Sequence, residues 1–317
     1  MTLIVTAIMT YIVHQENVTR PIQKATQLVL ETNVLCPNNL FQLWKEMNSL
    51  IGGKGLFSMS YDISLIKQAL RCAKIIGIDR LRVQNAYKWI VTLEGGQKVL
   101  YKPLLLSKGK QVSTCNTGCE HPEYEVTAFA MNRLLGFNNM PITVGRQISW
   151  FDEVFPVASK RFGKGMTIKN GTDVCFKWRC PSAKVSKEFC FHKGIILGSA
   201  TIWLKKAIHI VYPQEHEKYE YHDFHLYAKA KEFCLRSVML LGAPIYQCCS
   251  IRRSTFDALY RLKNTLTEEF DNETRDDPLY PVLLPKLFLQ MHARLRELVS
   301  FLDFCIAHKG LKNVVFV

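Results

Sequence analysis

The stretch Leu93–Arg146 decides how this chain folds. It opens with LEGGQKVLYKP at residues 93–103, crosses a polar, cysteine-bearing loop, and continues as EYEVTAFAMNRLLGF at residues 123–137 and MPITVGR at residues 140–146. Trp89–Leu93 and Val99–Lys102 read as two strands joined by the turn Glu94-Gly95-Gly96-Gln97, because paired glycines permit the positive φ of a tight hairpin. Pro103 follows Lys102, and a proline cannot donate to a ladder, so regular pairing should stop there. From Glu123 the period changes. Val126, Phe129, Ala130, Arg133 and Leu134 fall at helical spacing, and Gly136 is placed to end that helix. Leu104 to Glu120 reads as a long loop.

A strand lysine followed by a helix with two early glutamates is the pair that phosphoryl-transfer enzymes use. The lysine meets nucleotide phosphates, and a helix carboxylate holds the lysine or a metal ion. Spacing alone favours the plainer reading, a surface lysine and two glutamates drawn to the positive end of a helix dipole.

Length and composition narrow the classes. The chain has 317 residues and 48% hydrophobic content, enough for one large domain or two lobes around a cleft. With 41 basic against 27 acidic residues it carries a net charge of +14. That charge suits an acidic partner: nucleotide, glycosaminoglycan or acidic peptide. Nucleic acid ranks below these, since the basic residues read as spread out and no nucleic-acid motif occurs. The 11 cysteines make no CxxC pair and no zinc-type spacing. Sequons at Asn17, Asn170 and Asn272, with so many cysteines, point to a secreted or Golgi-lumenal chain. Residues 1–16 carry an apolar run, MTLIVTAIMTYIV, long enough for a signal-peptide core or anchor and too short to span a bilayer.

Residues 17–80 read as a helical packing extension. One helix carries Ile22, Ala25, Leu28, Val29 and Leu30. A second carries Leu40, Leu43, Trp44 and Met47, after the turn Cys36-Pro37-Asn38-Asn39. Ser64–Ala73 is a further short helix, with Ile75–Asp79 a strand or turn. Residues 81–204 form the expected nucleotide-binding lobe and residues 205–317 a helical lobe. Near its end Ser254 reads as a helix cap with Asp257 at the third position. A long helix then carries Phe288, Met291, Leu295, Leu298, Phe301, Leu302 and Ile306 and stops at Gly310. Asp257, Asp271, Asp276, Asp277 and Asp303 read as solvated surface residues.

LEGGQKVLYKP, YEVTAFAMNRLLGF and PITVGR, with GSATIWL at Gly198–Leu204 and IYQCCSIRRST at Ile245–Thr255, resemble the "family with sequence similarity 20" group of secretory-pathway kinases related to Four-jointed. The resemblance runs from Lys88 to Val317 and is closest to the branch that phosphorylates a xylose of the proteoglycan linker. It implies an α+β, atypical protein-kinase-like fold with a small sheet-rich lobe and a helical, disulfide-tied lobe. It implies ATP and Mn²⁺ or Mg²⁺ as cofactors. Lys102 would bind phosphates and Glu125 would hold the lysine and metal. Backbone groups of Thr201, Ile202, Trp203 and Leu204 would meet adenine in the hinge between lobes. It further implies disulfides Cys175–Cys190 and Cys249–Cys305, leaving Cys234 for Cys248, since adjacent cysteines rarely bond each other. It places the chain in the Golgi lumen or outside the cell.

The sequence also departs from that pattern. Ala86 stands where the family has a nucleotide-contacting glutamine. The Asn-x-Asp-Arg-His-His and Asp-Asn segments, which supply the family's two further catalytic aspartates, do not occur anywhere in the chain. Between the hinge and the Gln-Cys-Cys motif, Lys205 to Tyr246 offers one aspartate, Asp223. The expectation is therefore an inactive variant or an incomplete isoform of low stability, with the helical lobe shortened. Alternatives are a pseudokinase that binds and regulates an active secretory kinase, and a relative of secreted Ser/Thr protein kinases.

Overall fold

A computed structural model describes residues 35–50, 62–81, 87–107, 110–111, 121–138, 140–179, 186–204 and 249–316. In chain order the helices are α1 (Leu40–Ser49), α2 (Ser64–Cys72), α3 (Pro122–Leu134), a single turn α4 (Lys160–Gly163), α5 (Arg253–Thr274), α6 (Pro285–Lys309) and α7 (Leu311–Val314). The strands are β1 (Ile75–Leu81), β2 (Lys88–Leu93), β3 (Lys98–Pro103), β4 (Leu106–Ser107), β5 (Lys110–Gln111), β6 (Thr143–Ser149), β7 (Met166–Lys169), β8 (Asp173–Arg179), β9 (Ser186–Phe191), β10 (Ile195–Ile202), β11 (Ile251–Arg252) and β12 (Val315–Phe316). The fold is α+β, with the sheets first and the long helices last.

A five-stranded antiparallel sheet in the order β1-β2-β3-β10-β6 forms the smaller lobe. Its first strand, Ile75–Leu81, crosses the boundary expected at residues 80 and 81, so the sheet begins inside what read as extension. The β2–β3 hairpin closes on Gly95 and Gly96 at φ of 82° and 87°. A side chain on Gly95 would also meet the Trp44 ring at 2.8 Å, because α1 lies against this turn. Pairing does not stop at Pro103. Pro103 sits opposite Gly198, and Leu104 N–H still donates to Leu197 O at 2.7 Å. Proline withdraws its own donor but leaves its neighbours free to pair. The loop after it is not wholly irregular, since β4 and β5 form a two-residue ladder.

Side chains alternate across a sheet. Trp89, Tyr101, Ala200 and Val144 share one face, and Lys102, Ser199 and Gly145 share the other. The first face is covered by an inserted three-stranded sheet, β7-β8-β9, through rings of Tyr87, Trp89, Phe162, Phe176 and Phe191. Tyr101 is fully buried there, its hydroxyl 2.9 Å from Arg146 O and 3.0 Å from Ile196 O. Burial drives its phenol well above the ordinary tyrosine value.

The second core lies between α3, α5 and α6. Val126, Ala130 and Met131 pack with Leu259, Leu262, Leu266, Met291, Leu295, Leu298 and Leu302, matching the expected helical face. Phe129, on the same α3, belongs to the sheet core, so this one helix fills both interiors. Gly136 follows α3 at φ 69° and Gly310 ends α6 at φ 79°, both as expected. Ser254 is not a cap. α5 starts at Arg253 from the extended Arg252, because β11 pairs with β12 up to that residue and hands the chain directly to the helix.

Three disulfides join described residues. Cys175–Cys190 bridges directly opposed positions of β8 and β9, and Cys249–Cys305 ties the start of the helical lobe to α6; both were expected. Cys36–Cys72 was not. Among the described residues no helix is long and apolar enough to cross a membrane. The expectations for residues 1–16, the helix at Ile22–Leu30, Asn17, Ala86, Asp223, Cys234 and Cys248 lie outside the described residues.

Candidate nucleotide site

Lys102 is the penultimate residue of β3, its side chain 13% exposed, and Glu125 stands in the first turn of α3 at 35%. Their charged groups form an ion pair, Lys102 Nζ to Glu125 Oε1. The pair is fixed from both sides. β3 is held between β2 and β10, and α3 is anchored to the helical lobe through Val126, Ala130 and Met131. The Thr127 hydroxyl adds a further tie, 3.2 Å from Val282 O. The two glutamates therefore divide. Glu125 takes the lysine, while Glu123 is buried, with one carboxylate oxygen 3.8 Å from His121 Nδ1.

Beside Lys102 on the same sheet face lies Ser199, completely buried, and next to it Gly145. A side chain on Gly145 would collide with Asp277 Oδ1. Asp277 comes from the segment after α5 and is buried, contrary to its reading as a surface aspartate. Its carboxylate accepts from Gly145 N–H at 2.8 Å and from Leu279 N–H at 2.9 Å, and it pairs with Arg71 at 3.1 Å. Glu273 reinforces the contact, pairing with Lys67 at 2.9 Å. The aspartate is buried because these donors replace its hydration. Of the other four, Asp271 stays near the surface beside Arg275 and Tyr280.

Thr201, Ile202, Trp203 and Leu204 complete β10 and leave the sheet. Thr201 is hydrogen-bonded through its hydroxyl to Thr143 at 3.0 Å. Ile202 N–H donates to Ile142 O and Trp203 N–H to Lys98 O, each at 3.0 Å. A small amide relay braces the exit. Asn48 of α1 donates to Gln97 Oε1 at 3.1 Å, and Gln97 donates to Lys98 O at 2.7 Å and Trp203 O at 3.4 Å. Neither Gln97 nor Asn48 stood out in the sequence. A glutamine just after a Gly-Gly turn carries no chemical signature until its burial is known.

Nucleotide phosphates fit this wall, since a lysine on the central strand of a sheet, held by a helix carboxylate, is the arrangement kinases use to meet phosphates. A divalent ion is less well served. Among the described residues no group of three or more His, Cys, Asp or Glu could hold one, and Glu125 is already engaged by Lys102.

The family model described as Golgi casein kinase, C-terminal, Fam20, matches residues 42–235 and 215–314. The chain belongs to the Fam20 family. Human glycosaminoglycan xylosylkinase is 25% identical over 319 residues, covering 80% of this chain and 78% of that protein. The Caenorhabditis elegans extracellular serine/threonine protein kinase CeFam20 is 20% identical over 350 residues, covering 86% and 68%. Mouse pseudokinase FAM20A is 21% identical over 264 residues, covering 60% and 48%. Among solved structures, hydra Fam20 with sugar superposes with a TM-score of 0.65 at 21% identity, covering 86% of this chain and 97% of that one. The Golgi casein kinase with Mn/ADP bound gives 0.64 at 18%, covering 87% and 85%. The Fam20 fold thus accounts for the sheet lobe, α3 and the disulfide-tied helices.

Proposed function

We propose that this polypeptide is a lumenal or secreted Fam20 chain that binds ATP on the wall built by Lys102 and Glu125 but does not itself transfer phosphate. The family activity it derives from would be phosphorylation of a xylose in the glycosaminoglycan–protein linkage, in line with its similarity to glycosaminoglycan xylosylkinases. The disulfides suit the oxidising compartment in which such kinases work.

The observation that carries the reading is a mismatch. The ion pair that prepares a kinase lysine is present, yet the sequence holds no Asp-Arg-His-His segment to orient an attacking hydroxyl. The match to human xylosylkinase supports an internal loss. It runs over 319 residues while taking in 80% of this 317-residue chain, so part of the relative's matched stretch has no counterpart here. A second reading, a pseudokinase that regulates an active relative, is favoured by the similarity to pseudokinase FAM20A.

The test is labelled phosphate transfer from ATP with Mn²⁺ to a xylose-containing linker acceptor, alongside nucleotide binding. Binding without transfer is expected. Transfer at the rate of an active xylosylkinase would overturn the reading. Added to an active family member, the chain should change that enzyme's rate if the second reading holds.

A further inference from the structure

The excess positive charge is not spread evenly along the chain. Residues 159–193 hold nine of the 41 basic residues and two of the 27 acidic ones, half of the net +14. The described residues of this span, 159–179 and 186–193, build one local unit, α4 and the inserted sheet β7-β8-β9. The unit packs its aromatic side chains onto the Trp89–Tyr101 face of the main sheet, the face opposite Lys102. Its described cations Lys160, Arg161, Lys164, Lys169, Lys177 and Lys193 are exposed on this unit.

Both of its carboxylates are already committed. Asp173 accepts from Lys193 N–H at 2.9 Å and pairs with His192 at 2.9 Å. Glu188 takes Lys169 at 2.8 Å on each oxygen while Lys177 stands directly across the ladder from it, so one carboxylate faces two cations. Lys160, Arg161, Lys164 and the Lys193 ammonium are exposed, and no ion pair among the described residues engages them. Unbalanced cations on one small unit create a field that draws polyanions and releases their counterions on binding.

We propose that this inserted unit is a docking surface for a linear sulfated polysaccharide of the heparan sulfate kind. The compartment selects among polyanions. Cys175–Cys190 crosses this very unit, and such a bridge persists where nucleic acid is not the resident polyanion. A sulfated chain asks for spaced surface cations, and Lys160, Arg161, Lys164, Lys177 and Lys193 are exposed along α4 and the insert.

The test is binding of the full chain to immobilised heparin at about 0.15 M salt, with Lys160, Arg161, Lys164, Lys177 and Lys193 all changed to Gln. The expected result is binding weaker by about tenfold or more and a shallower dependence on salt. A control changes Arg252, Arg253, Lys263, Lys309 and Lys312 to Gln, removing equal charge from the helical lobe, and should keep most of the affinity. Equal loss in both variants would mean that net charge alone is sensed, and would overturn the proposal. So would full retention by the first variant, or displacement of heparin by polyglutamate at equal charge, which would point to an acidic protein. Unchanged thermal unfolding of the first variant, and an unchanged response to ATP, would show that fold and nucleotide wall are intact.

Discussion

Gly145 has no side chain because Asp277 occupies the space where one would be. The aspartate is held there by Gly145 N–H, Leu279 N–H and Arg71, joining the edge strand of the sheet lobe to the helical lobe. Gly145→Ala should lower unfolding free energy by about 2–3 kcal/mol through overpacking. Asp277→Ala should cost about 2–4 kcal/mol by stranding buried donors and Arg71. Urea denaturation checks both, and an effect below about 0.5 kcal/mol in either would contradict the contact. Tyr101 gives a pH signature. Its buried phenol is held neutral above the ordinary value of 10.0, while the unfolded chain ionises there. The folded state then binds more protons than the unfolded one, so stability is complete below about pH 10 and falls as pH rises beyond it. Tyr101→Phe should weaken the protein at neutral pH yet flatten its loss of stability above pH 10, read from melting temperatures across that range. Lys102 and Glu125 stood out through the resemblance of LEGGQKVLYKP and YEVTAF to the family's motifs, where spacing alone favoured a surface lysine and helix-start glutamates. The sequence hid Asp277, because an aspartate in a Pro-rich turn reads as solvated until Gly145 and Arg71, more than a hundred positions away, are known as its partners.

Elements with strong local signals were legible. The Gly-Gly hairpin, α3 with its closing glycine and the long α6 ending at Gly310 follow the sequence pattern closely. What failed was decided by tertiary pairing. β11 delivers the chain into α5 without a side-chain cap, and Leu104 extends the β3 ladder past a proline. The Cys36–Cys72 bridge was missed because 36 positions separate its ends, and spacing over such a distance names no partner. The Asn48–Gln97–Trp203 relay makes α1 a brace of the β10 exit rather than passive packing. Gln97→Ala should weaken nucleotide binding several-fold, measured by titration calorimetry, while Gln42→Ala on the exposed side of α1 should not. Unchanged affinity in the Gln97 variant would separate this relay from the site. Cys249–Cys305 closes a loop of 56 residues, so Cys305→Ser should cost about 3–4 kcal/mol, with the loss confined to the helical lobe. Amide exchange that rises in α5 and α6 and not in β2 or β3 would verify it.

On the scale of the whole molecule, two cores meet at α3 and at the Asp277 contact, and the Lys102–Glu125 pair proposed to hold nucleotide lies where they join. The family and two-part architecture were legible because several motifs recur in the right order, each weak alone. The activity was not, since the Asp-Arg-His-His segment that the resemblance leads one to expect does not occur in the chain. The central claim is that the surviving wall still holds nucleotide. Its most direct test is the thermal unfolding of purified, lumenally expressed protein with and without ATP and Mn²⁺, repeated with Lys102→Ala. The account predicts stabilisation of a few degrees at saturating ATP, from ligand linkage, that vanishes in the Lys102 variant while its unliganded melt stays within a few degrees of the parent. A folded parent that shows no shift, or a shift that survives Lys102→Ala, would contradict it.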